Sequence, residues 1–70
     1  MDLRGKQISV GELLDDPRSK AVFQRRFGKF MKHPMVGAAR SLSLAQLQEM
    51  AAVYVPQKTI QETLRELEQL

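Results

Sequence analysis

Ser43-Leu44-Ala45-Gln46-Leu47-Gln48-Glu49-Met50-Ala51 is the stretch that sets the fold class. Ser43 and Gln46 stand in the reciprocal capping arrangement, in which the serine hydroxyl accepts the N3 amide while the N3 side chain accepts the amide of the cap residue. Behind them Leu44, Leu47, Met50 and Ala51 recur at helical spacing toward Val53. The signature occurs twice. Ser9 with Glu12 repeats it and opens a short helix through Leu13 and Leu14.

The rest of the chain extends this helical pattern outward. Asp16-Pro17 restarts a helix, because aspartate is a favoured N-cap and proline at the first helical position has the right φ and no donor to satisfy. That helix is expected from Pro17 to about Phe27, with Val22, Phe23 and Phe27 on one face and Gly28 as its stop. His33-Pro34 and Gly37 leave room for one short helical piece starting at Pro34. Tyr54-Val55-Pro56 ends the helix that Ser43 begins. Beyond it Ile60, Leu64 and Leu67 mark an amphipathic last helix whose other face carries Gln57, Gln61, Glu62, Arg65, Glu66 and Glu68. Met1 to Gln7 is polar and lacks an apolar period, so it reads as a flexible leader that enters the fold near Ile8.

With no alternating strand pattern and no internal repeat, the expectation is an all-α fold, a compact orthogonal array of four or five short helices. Residues 8–70 form its single domain, and Phe23, Phe27, Leu47, Leu64 and Leu67 are expected at the centre of the core.

Seventy residues bury only about 60% of the surface that the unfolded chain exposes, so the stability margin is small. The chain has no cysteine, which removes disulfides and thiolate metal sites and slightly favours a reducing compartment, hence the cytoplasm. Its apolar runs are a few residues long, short of the roughly 18 to 20 that span a bilayer, and the start has no signal-peptide core. A soluble protein without a membrane partner is expected, either whole or cut from a longer chain.

Charge is the one feature that points toward function. The formal net charge is +3, yet residues 17–40 hold Arg18, Lys20, Arg25, Arg26, Lys29, Lys32 and Arg40 without a single Asp or Glu. Arg18, Arg25, Arg26, Lys29 and Lys32 are the candidate surface for an anionic partner. On one continuous helix Arg18, Arg25, Lys29 and Lys32 would fall at offsets 0, 7, 11 and 14, a stripe able to meet a phosphate backbone. Gly28 argues against that continuity, and a solvated basic face is the plainer reading. A helix-turn-helix built on the last two helices has suitable lengths, but its reader helix would carry Glu62, Glu66 and Glu68 against Lys58 and Arg65.

Catalytic chemistry finds no support. His33 is the only histidine and has no carboxylate or cysteine at metal-ligand spacing. Asp15-Asp16, the adjacent carboxylates, read as a helix terminus ahead of Pro17. Ser9, Ser19, Ser41 and Ser43 have no histidine placed by a motif, and the glycines are too dispersed for a phosphate loop. No catalytic residue, cofactor or metal is assigned.

Ser9-Val10-Gly11-Glu12-Leu13-Leu14-Asp15-Asp16-Pro17, His33-Pro34-Met35 and Ser43-Leu44-Ala45-Gln46-Leu47 together resemble a small helical accessory domain at the ends of some bacterial family 3 glycoside hydrolases, β-glucosidase-like enzymes. The layout is also similar to a bacterial helical domain of unknown function. The resemblance covers most of residues 8–70 and rests on caps and helix starts. It implies an all-helical appendage and transfers no catalytic or sugar-binding residue. The resulting expectation is a non-enzymatic accessory or protein-interaction domain, acting on a protein or on an attached catalytic domain. Nucleic-acid binding through the basic 18–40 surface is the second reading.

Overall fold

Both capping boxes form. In the computed structural model, which describes residues 1–70, the Ser9 hydroxyl accepts the Glu12 amide at 3.1 Å and the Glu12 carboxylate accepts the Ser9 amide at 3.4 Å. The Ser43 hydroxyl likewise accepts the Gln46 amide at 3.2 Å, and the Gln46 side-chain oxygen accepts the Ser43 amide at 2.9 Å. These caps start α1 (Val10–Asp15) and α4 (Leu44–Ala51). Between them lie α2 (Pro17–Met31) and α3 (Met35–Ala39), and α5 (Gln57–Glu68) closes the chain. The protein is an all-α array of five helices without a strand.

The two caps also meet. Ser9 and Ser43 form an isolated antiparallel bridge, in which the Leu42 carbonyl accepts the Val10 amide and the Ile8 carbonyl accepts the Leu44 amide, both at 2.8 Å. The Arg40 carbonyl accepts the Gly11 amide at 2.9 Å. Amides that α1 and α4 leave open at Val10, Gly11, Glu12, Leu44 and Gln46 are thus satisfied by side chains and by each other's approach segments. A Cβ on Gly11 would stand 3.1 Å from the Arg40 oxygen, so glycine permits the close approach of this seam.

Leu13 and Leu67, both 0% exposed, sit at the core centre, surrounded by Leu3, Ile8, Val22, Phe23, Leu44, Ile60 and Leu64. Phe23, Leu64 and Leu67 are central as expected. Phe27 and Leu47 are instead half-buried and pack against the edge of the core. Ser19, also 0% exposed, satisfies its hydroxyl by donating to the Leu13 carbonyl.

Residues 1–7 depart from the expected flexible leader. Leu3 belongs to the core, and the α-amino group of Met1 donates to the carbonyls of Glu68 and Leu70. Arg4, Gly5 and Lys6 make this possible through a left-handed turn with φ of 51°, 62° and 71°. A single buried leucine has no period, so hydrophobic patterning passes over it.

Helix α2 also runs past Gly28 to Met31. The break appears as a kink at Phe27 (φ −132°, ψ 33°) with helix on both sides. Glycine weakened the helix at this point without ending it, because the chain beyond carries Met31 back against the core.

Candidate interaction surface

The helices leave one apolar groove of about 220 Å³, in which Gln48 and Thr63 are the only polar lining residues. The spacing that makes α2 amphipathic places Phe23, Phe27, Phe30 and Met31 along one wall. Leu44, Leu47 and Ala51, at the same spacing on α4, also line it, as do Val36 and Ala39 from α3. Leu64 and Leu67 of α5 belong to its floor, and they are shared with the core. The groove is therefore continuous with the hydrophobic interior. Its mouth is exposed: Phe30 is 57% and Tyr54 81% accessible, and both line it. Met35, Met50 and Val53 add further exposed apolar surface without lining it.

An exposed leucine or tyrosine alone signifies little, but several large apolar side chains around a concave apolar surface mark an interaction site. An engineered apolar cavity of about 150 Å³ takes up benzene. The groove here has room for one or two large apolar side chains from another molecule. Its lining is almost wholly apolar, so what it offers a partner is complementarity of apolar shape.

The four arginines of residues 17–40 are all held in ion pairs. Arg18 binds the Asp16 carboxylate through Nε at 3.2 Å and Nη2 at 2.9 Å, while Asp16 also caps α2 by accepting the Arg18 amide at 2.9 Å. The Arg18 side-chain hydrogen bonds hold the Asp16 carboxyl below its usual range, and Asp16 raises Arg18 in return. Arg25 and Arg26 converge on Glu66 of α5, with Arg26 Nε 2.7 Å from Oε1 and Arg25 Nη2 on Oε2. These two hydrogen bonds, the one from Arg25 foremost, depress the Glu66 carboxyl. Arg40 donates to both Asp15 oxygens, at 2.8 and 2.9 Å, and ties the approach to α4 back to α1.

Two sequence expectations change as a result. Arg18, Arg25, Lys29 and Lys32 do not act as one stripe, because the Phe27 kink separates the arginines from the lysines and the arginines are engaged by carboxylates. Arg26 is half-buried rather than solvated, since its partner Glu66 lies on the neighbouring helix. Lys29 and Lys32 are exposed and take part in no ion pair.

The remaining titratable candidates have structural duties. His33 is exposed and its Nδ1 accepts the Met35 amide at 3.1 Å, an interaction that helps to begin α3. Asp15 and Asp16 turn to different arginines, Arg40 and Arg18. No helix is long and apolar enough to cross a membrane.

Sequence reasoning missed the groove because it treats an apolar stripe as core. The available signal was a surplus: Phe30, Met31, Val36, Met50, Val53 and Tyr54 exceed what five short helices can bury around one centre. Comparison with known protein families, with curated proteins and with solved structures found no match to this chain.

Proposed function

We propose that the protein is a non-enzymatic helical interaction domain that receives apolar side chains of a protein partner in the groove between α2, α3 and α4. The observation that carries this reading is the groove itself, about 220 Å³ and almost wholly apolar, with Phe30 and Tyr54 exposed at its mouth. Such surface is costly to leave in water, at about 25 cal/mol per Å² of apolar area, and covering it drives association. A separate protein and a catalytic domain on the same chain both satisfy this reading. The latter is the arrangement that the resemblance to glycoside hydrolase appendages implies. The engagement of Arg18, Arg25, Arg26 and Arg40 by carboxylates favours it over nucleic-acid binding, which needs free cations to neutralise phosphates.

Tyr54 provides the test, being the only tyrosine in a chain without tryptophan. An amphipathic helical peptide with leucine and phenylalanine anchors, itself free of Tyr and Trp, should change the Tyr54 emission saturably. Phe30→Ala should weaken that binding with the far-UV circular dichroism unchanged, because Phe30 is mostly exposed. No saturable change, or undiminished binding to the Phe30→Ala variant, would refute the proposal.

A further inference from the structure

Residues 28–39, which hold the last turn of α2, the His33-Pro34 link and α3, contain no buried residue. They nevertheless supply Phe30, Met31, Val36 and Ala39 to the groove. Met31 is the one half-buried side chain among them that packs against the core. No backbone hydrogen bond joins the segment to α1, α4 or α5: the Phe30 carbonyl accepts the His33 amide and the His33 carbonyl the Val36 amide, both at 3.0 Å. Ion pairs do not reach it either, since Lys29, Lys32 and His33 take part in none.

Both ends, by contrast, are fixed. Ahead of the segment Phe27 packs on Phe23 with ring centroids 6.5 Å apart, and Arg26 Nε lies 2.7 Å from Glu66 of α5. Behind it the Arg40 carbonyl accepts the Gly11 amide at 2.9 Å, and the Arg40 guanidinium holds Asp15. The Phe27 kink therefore lies where firm attachment ends. A Cβ on Gly28 or Gly37 would meet nothing within 4 Å, so packing requires neither glycine, and each lowers the helix propensity of the segment. A stretch with so few buried apolar contacts, held only at its ends, belongs to the least stable part of a fold and opens without global unfolding.

We propose that residues 28–39 form a strap, hinged at Phe27 and Arg40, that opens as one unit and completes the groove only when closed. Opening takes Phe30, Met31, Val36 and Ala39 off the site, while Phe23, Leu44, Leu64 and Leu67 stay in the core. Occupancy and closure are thereby coupled: a partner seated in the groove holds the strap shut, and release of the strap releases the partner. The inference rests on the groove reading above and adds the device that regulates it.

Amide hydrogen exchange, followed by NMR on the whole protein at low urea concentrations, provides the test. Protected amides within 29–39 should share one opening and one denaturant dependence, both smaller than those of Phe23 and Leu67, which exchange through global unfolding. Gly28→Ala should reduce the opening by about 2- to 5-fold throughout the segment. Met31→Ala should increase it in all of these amides together, by about 5-fold or more. The amphipathic peptide with leucine and phenylalanine anchors, at about ten times its Kd, should suppress the opening by about 10-fold.

Exchange in the free protein that proceeds residue by residue, or only with global unfolding, would overturn the strap and leave the groove reading standing. A peptide that binds and leaves the opening unchanged would refute the coupling, again without touching the groove reading. Failure of the peptide to bind would remove the groove reading and the coupling together.

Discussion

Ser9→Ala and Ser43→Ala test whether the two capped helix starts form one seam. Each hydroxyl accepts a single amide, from Glu12 at 3.1 Å and from Gln46 at 3.2 Å. Truncation strands that amide and releases the reciprocal side chain, at a cost of about 0.5–2 kcal/mol for each cap. The bonds of the Ser9–Ser43 bridge are made by the backbones of Ile8, Val10, Leu42 and Leu44, so they survive either substitution. Each loss should therefore remain in the cap range and below that of a deleted core leucine. In a domain of this size about 1 kcal/mol lowers Tm by roughly 4–8 °C. Ser→Gly at either position should cost only a few tenths of a kcal/mol, since glycine is itself a tolerated N-cap. Because the two serines oppose each other, the double alanine variant should depart from the sum of the singles by about 0.5 kcal/mol or more. Urea unfolding followed by far-UV circular dichroism measures all of these at an unchanged m value. Unchanged midpoints for both single variants would refute the cap assignment, and strict additivity would refute the coupled seam.

Leu3→Ala should destabilise by about 2–5 kcal/mol, as for a buried leucine, whereas a mobile leader would give no change in urea midpoint. Lys6→Gly should be neutral or stabilising by up to about 1 kcal/mol, because φ of 71° strains a side-chain-bearing residue. Lys20→Gly on exposed α2 should cost about 1 kcal/mol, so equal losses at the two sites in thermal melts would refute the left-handed turn. Glu66 has a folded-state pKa below its unfolded one, so its contribution is complete above about pH 5 and disappears as acidification carries the pH through the folded value. Glu66→Gln should flatten the fall of stability below that pH without removing it, since Asp16 is depressed as well. An identical pH profile in the variant would show that the Arg25–Glu66–Arg26 cluster is unimportant in solution.

Local rules carried most of the fold. The Ser9 and Ser43 capping boxes, the Asp16-Pro17 start and the amphipathic spacing of Ile60, Leu64 and Leu67 each depend on neighbours in sequence, and each appears where the residues place it. Features settled by tertiary contact were illegible. Leu3 is buried by a left-handed turn that Arg4 and Lys6 do not advertise, and α2 continues through Gly28 because the residues beyond it have an apolar surface to meet. Charge composition located the basic block but not its ion pairing, because Glu66 reaches Arg25 and Arg26 from another helix. The groove was hidden for the same reason: Phe27 and Leu47 satisfy the pattern of core residues, and only the tertiary arrangement, in which α2 and α4 line one open groove, shows that they border an exposed surface.

The four methionines give the most direct test of that surface, since Met31 lines the groove, Met1 packs elsewhere on the core, and Met35 and Met50 are exposed outside the lining. In protein carrying ¹³C-methyl methionine, titration with the amphipathic peptide bearing leucine and phenylalanine anchors should shift the Met31 methyl resonance saturably and leave Met1 in place. A bound peptide that leaves Met31 unmoved, or moves all four methyls alike, would contradict the assignment of the groove as the binding site.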